Sequence, residues 1–142
     1  MILPDVNVLI YAFRRDSTRH KEYRAWLQAV VDGPNAYGVS SQVLASVLRI
    51  CTHPRIYRRP STVAETLAFC DALLEPAHST LIQPGERHWS IFADLCESSK
   101  ASGNLVQDAW FAALAIEHGC EWVSTDGDYA RFRGLRWQRP FE

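Results

Sequence analysis

Lysine, paired cysteines, long apolar runs and net charge are all scarce or missing in this sequence. The four cysteines, Cys51, Cys70, Cys96 and Cys120, are widely spaced and form no C-x-x-C pair. That excludes a cysteine-built zinc ribbon and argues against a disulfide framework, so free buried thiols are expected. The five histidines, His20, His53, His78, His88 and His118, show no H-x-x-x-H or related spacing and read as surface or helix residues rather than ligands. No apolar run approaches the roughly 18 residues of a membrane span. The first residues also lack the charged region and small-residue cleavage site of a signal peptide. A cytoplasmic protein with no membrane contact is expected. A net charge of -1 rules out a global basic field. Of the 15 basic residues only Lys21 and Lys100 are lysine; the rest are arginine, the better bidentate phosphate ligand.

What is present is a chain of 142 residues, 47% hydrophobic and 22% charged, long enough for a real core and most simply one domain over 1–142. Met1 to Leu3 reads as a strand that Pro4 ends, with Asn7 as the cap of a helix over Val8 to Phe13. Tyr23, Trp26, Leu27, Val30 and Val31 recur at helical spacing before the Gly33–Pro34 stop. Ala36 to Val39 suits a strand, and Ser40 or Ser41 can cap a helix burying Val43, Leu44, Val47, Leu48 and Cys51. Thr62 with Glu65 matches a capping box for a helix to about Leu74. A third strand over Thr80 to Gln83 precedes a helix with Trp89, Phe92, Ala93 and Cys96 on its apolar face. After a polar loop over Ser98 to Asn104, LVQDAWFAALAIEHG reads as a helix stopped by Gly119. Glu121 to Ser124 is a strand, STDGD a turn, and Leu135 to Trp137 a last short strand. Strands alternating with helices predict an α/β fold with a mainly parallel sheet.

Within that fold three acids fall at strand ends or helix starts. The opening run ILPDVNVLIYAF is apolar except for Asp5 and Asn7, and a buried, unpaired carboxylate is costly. Asp5 follows the first strand, Asp126 follows the strand ending at Ser124, and Asp108 lies near the start of its helix. Sites in open parallel sheets form beyond the C-terminal strand ends, where these acids are expected. Each also has a plainer role: a backbone acceptor at Asp5, a dipole complement at Asp108, turn formers at Asp126 and Asp128. If the three converge, protonation or a hard cation must relieve their repulsion. Magnesium prefers such oxygen donors and supports phosphodiester hydrolysis.

LPDVNVLIYA, NLVQDAWFAALAIEHG and STDGDYARFRGLRW together resemble the PIN-domain nucleases, and more closely the VapC toxins of toxin–antitoxin pairs. LRICTHPRIY, Leu48 to Tyr57, resembles one subgroup of them. The resemblance implies an α/β/α sandwich, an acid cluster binding Mg²⁺ or Mn²⁺, and endoribonuclease activity on RNA. By the same resemblance Asp5, Asp108 and Asp126 are the catalytic and metal-binding acids, with Asp128 accessory. Asn7 takes the polar position after the first acid, Asn104 orients Asp108 or a water, and Thr125 hydrogen-bonds within the cluster. One position departs from the family: Ser46 stands where many PIN domains carry a Glu, which weakens any two-metal site. A VapB-type antitoxin whose Arg competes for the acids and a homodimer are implied as partners.

Three basic clusters are candidates for RNA contact: Arg14, Arg15, Arg19 and Lys21; His53, Arg55, Arg58 and Arg59; and Arg131, Arg133, Arg136 and Arg139. Tyr57 and Trp137, interleaved with them, suit base stacking. Solvated loops are the alternative for each. Trp26 and Trp89 suit either the antitoxin groove or the core. Two other functions remain to be weighed: a degenerate PIN domain that binds RNA or antitoxin without cutting, and a haloacid dehalogenase-type phosphatase. Asn7 and Leu9 disfavour the phosphatase, which expects Asp and Thr there.

Overall fold

Three short strands, β1 (Ile2–Pro4), β2 (Tyr37–Ser40) and β3 (Ser79–Ile82), join β4 (Glu121–Val123) and β5 (Trp137–Gln138) in one sheet of order β3-β2-β1-β4-β5. The computed structural model describes residues 1–142, and every strand pairing in it is parallel. Two helices fill each of the first three crossovers. They are α1 (Val6–Phe13) and α2 (His20–Asp32), then α3 (Ser41–Cys51) and α4 (Val63–Leu74), then α5 (His88–Ser99) and α6 (Asn104–Glu117). The first two crossovers step in one direction along the sheet and the third returns past β1. Right-handed crossing therefore puts α1–α4 on one face and α5–α6 on the other. This is the α/β/α sandwich the resemblance implies, and the sheet that the alternation of elements predicts as mainly parallel is entirely so.

The core forms where the sheet meets both helix layers. Leu3, Val8, Val43, Val47, Trp122 and Val123 are fully buried, as are the small residues Ala109, Ala112, Ala113 and Ala115 that let α6 approach the sheet. Gly38 on β2 is a close-packing position. A Cβ there would lie 2.9 Å from Ile82 Cγ1 and 3.3 Å from Leu3 Cδ1. Cys51, Cys70 and Cys120 are free and buried as expected, and Cys96 is free and half-buried. No helix is long and apolar enough to cross a membrane.

Several local expectations shift. The first helix begins at Val6, and its cap is Asp5, whose carboxylate accepts the Val6 N–H at 2.7 Å. Asn7 is left exposed in the first turn. A carboxylate caps a helix as well as an amide does, and the chain turns directly from strand to helix at Asp5. Ser40 rather than Ser41 caps α3, and the Thr62–Glu65 capping box forms as expected. The third strand lies one residue earlier, and the STDGD turn continues into a 3-10 helix over Gly127–Arg131. The most buried face of α5 carries His88 and Leu95, while Trp89 is 68% exposed. His88 is drawn inward because its Nε2 meets the Trp110 carbonyl at 3.0 Å and its ring packs on Trp110.

Candidate functional site

The strand order reverses direction between β1 and β4, and the acids gather at the C-terminal ends of those two neighbours. Asp5 leaves β1 with its N–H donating to the Val123 carbonyl of β4 at 2.8 Å. Asp5 as a whole is 7% exposed. One carboxylate oxygen caps α1 and the other accepts the Ser124 hydroxyl at 2.6 Å. The same Ser124 oxygen accepts the Asp126 N–H at 3.0 Å. Ser124 thus ties the first acid to the backbone of the third.

Asp126 in turn caps the 3-10 helix by accepting the Asp128 N–H at 2.8 Å, and Asp128 is exposed beside Arg131. Asp108 arrives from the opposite helix layer, in the second turn of α6 rather than the first, half-buried with Ala109 beneath it. Its Oδ1 accepts the hydroxyl of Tyr129, a buried residue of the 3-10 helix, at 3.3 Å.

Electrostatics shows that the acids share one region. Burial, the largest cause, pushes Asp5 up to about 6; its bonds to Ser124 and Val6 pull it back, and the charges of Asp108 and Asp126 raise it further. Asp108 is also raised, first by burial and then by the charge of Asp126. Burial raises the Tyr129 hydroxyl strongly, with Asp5 and Asp108 adding to it, so it stays a neutral donor.

The arrangement suits a water-keeping ion better than a closed cage. No three His, Cys, Asp or Glu side chains stand as a preassembled metal group. Hard cations such as magnesium keep several waters and need only one or two carboxylates. Three like charges at one edge, one of them buried and raised, are a donor set that a hard cation would relieve. The donor chemistry fits. Helix α3, which carries Ser46, offers no carboxylate, since its sequence, SQVLASVLRIC, holds no acid.

The structure puts Asp5, Asp108 and Asp126 within electrostatic reach of one another without closing them into a metal-holding group. It leaves Asn7 and Asn104 exposed, and Asp108 takes its hydrogen bond from Tyr129 instead of Asn104. Thr125 uses its carbonyl, which accepts from Arg139 at 2.6 Å, while the hydroxyl within the cluster belongs to Ser124. Ser124 and Tyr129 are the two residues that sequence reasoning missed. A polar residue ending the apolar strand WVS and one aromatic inside a polar turn were the available signals. The histidines other than His53 each meet a backbone carbonyl and gather at no common centre. A concavity of about 930 Å³ lies away from the acids, between α1, α2 and α4, with Phe13, Leu27, Phe69 and Leu73 in its wall.

Three layers around a parallel sheet, with acids at its switch point, define a PIN-like α/β/α protein. The sequence matches the PIN domain family over residues 2–135, and the chain belongs to that family. Its full-length relatives are VapC proteins. It is 38% identical over 142 residues to "VapC ribonuclease Mb2897" of Mycobacterium bovis, covering 100% of this chain and 97% of that protein. It is 40% identical over 140 residues to "Ribonuclease VapC31" of Mycobacterium tuberculosis, covering 99% of each. Among solved structures, VapBC2 from Rickettsia felis bound to a DNA fragment from its promoter superimposes with a TM-score of 0.71. That match has 19% identity and covers 98% of each chain.

Proposed function

We propose that this chain is a metal-dependent endoribonuclease and the toxin of a VapBC-type toxin–antitoxin pair. One observation supports the reading: at the β1/β4 switch point Asp5 is raised to about 6, by burial first and also by the charges of Asp108 and Asp126. The ribonuclease names of relatives at 38% and 40% identity over nearly their whole length support it.

In this reading Asp5 and Asp108 hold a Mg²⁺ or Mn²⁺ ion and Asp126 orients the attacking water. A bound divalent ion would activate water and stabilise charge developing on a phosphate. Ser124 holds Asp5 in register with the Asp126 backbone, and Tyr129 steadies Asp108 through a neutral hydroxyl. With no acid on α3, the donor set suits one ion better than two. The antitoxin and a homodimeric state belong to the same reading. The VapBC2 complex shares the fold, and the groove between α1, α2 and α4 offers an antitoxin segment an apolar floor.

The competing reading is a PIN protein that binds RNA or antitoxin without cutting. It is favoured by the single fact that α3 brings Ser46 in place of a carboxylate. Incubating the purified chain with total cellular RNA, in Mg²⁺, Mn²⁺ or EDTA, separates the two. Discrete fragments in either metal, absent in EDTA and reduced at least about 10²-fold in Asp108→Asn, are expected. Intact RNA under all conditions with folded protein would favour the non-cutting reading.

A further inference from the structure

The three basic clusters are not equivalent once folded. In the first, Arg14 is buried and Arg19 is ion-paired with Glu22 and bonded to the Glu142 carbonyl at 2.7 Å. In the third, Arg131 faces Asp128, and Arg136 and Arg139 donate to the carbonyls of Gly119 and Thr125. The side chains of Arg55 and Arg58 of the middle cluster are exposed with no ion pair or hydrogen bond within the chain, as are those of Arg15 and Lys21 of the first and Arg133 of the third, so what sets the middle cluster apart is how its backbone is held. Arg55 and Arg58 also stand outside the α1/α2/α4 groove, which only Arg59 of this cluster borders.

Free cations on a loose segment would be a solvated loop and nothing more. This segment is fastened. Arg14, 7% exposed at the end of α1, places its guanidinium under the loop. Nη1 donates to Ser61 Oγ at 2.9 Å, Nη2 to the Arg59 carbonyl at 3.1 Å, and Nε and Nη2 grip Asp16 at 2.9 and 2.7 Å. The guanidinium carbon also lies 3.6 Å from the centre of the Tyr57 ring. Tyr57 is therefore a platform for Arg14 on that face.

The loop closes on itself as well. Ser61 N–H returns to the Cys51 carbonyl at 2.8 Å, and the N–H groups of Ile56 and Tyr57 return to the His53 carbonyl at 3.1 Å. The His53 ring accepts the Arg55 N–H at 3.0 Å. A buried guanidinium is tolerated only when its donors are satisfied. Apart from Asp16, the partners of Arg14 are all loop atoms.

We propose that residues 53–59 form a phosphate grip for single-stranded RNA, in which Arg55 and Arg58 donate to phosphate oxygens and Arg14 is the positioning residue that holds them in place. The proposal rests on the ribonuclease reading above and adds where the substrate backbone is held. Guanidinium forks match phosphate geometry, and a pre-ordered loop loses little freedom when it binds. An acidic protein segment is the less favoured occupant, because Ile56 is the one large hydrophobic side chain exposed around the two arginines, and both stand outside the α1/α2/α4 groove.

The test measures binding of a labelled single-stranded RNA to the full-length Asp108→Asn protein, which leaves the RNA uncut, at a series of KCl concentrations. Removing two phosphate contacts from a single strand lowers the slope of log K against log salt by about 1.4. The Arg55→Ala/Arg58→Ala variant is expected to show that fall and to weaken all RNA sequences alike, while Lys100→Gln keeps the parent slope. Arg14→Lys keeps the charge but loses the fork, and is expected to lower the slope while circular dichroism reports folded protein. A lower melting temperature with an unchanged slope would make Arg14 merely structural and overturn its role. If the wild type cleaves RNA but the double variant keeps the parent slope, the grip is overturned and the ribonuclease reading stands. If the parent does not bind RNA and the wild type does not cut it, both are overturned. Loss of poly-glutamate binding with an unchanged RNA slope would reassign the loop to an acidic protein partner.

Discussion

At Asp5 one carboxylate caps a helix, accepts the Ser124 hydroxyl and lies buried beside two other acids, so its ionised form is held against desolvation. The folded state binds the Asp5 proton more tightly than the unfolded chain does, at about 6 against an ordinary 3.8. Stability from this group is therefore fully present below about pH 4, is lost as the pH rises through about 6, and is flat above. Two pKa units correspond to roughly 3 kcal/mol at most. Urea unfolding of the metal-free protein in EDTA is expected to show that decline between about pH 4 and 6, and Asp5→Asn to remove it. Ser124→Ala takes away a bond that lowers the Asp5 pKa, so it is expected to move the end of the decline to higher pH. A flat profile in the wild type would contradict the burial cost assigned to Asp5.

The elements differ in how far their own residues determine them. The capping box of α4 was legible because both partners, Thr62 and Glu65, sit within one turn and bond each other reciprocally at 2.7 and 3.1 Å. Thr62→Ala is expected to cost about 1 kcal/mol in urea unfolding, and an unchanged midpoint would show that the cap contributes nothing. The long helix carrying Asp108 was equally legible, since its alanine face and Gly119 stop are local signals; Gly119 has φ +64°. The start of α1 was not, because Asn7 and Asp5 are both competent caps and only the path out of β1 decides between them. The facing of α5 was missed because a carbonyl of α6 pulls His88 inward. Ser124 and Tyr129 escaped for the same kind of reason. Their partners lie 119 and 21 residues away, and no pattern within one element encodes them.

For the molecule as a whole, the strand order β3-β2-β1-β4-β5 determines where the acids meet. Asp5 and Asp126 follow the two strands that flank the reversal, and Asp108 comes across from the opposite helix layer. Neither the first half of the chain nor the second carries the whole donor set, so the proposed metal site depends on the complete fold. A Mn²⁺ titration of ¹⁵N-labelled full-length protein, read by paramagnetic broadening, tests this most directly. One ion per chain is expected, with broadening centred on residues 5, 108, 124 and 126 and lost in Asp5→Asn. Broadening spread evenly over the surface acids, or centred elsewhere and unchanged in Asp5→Asn, would contradict it.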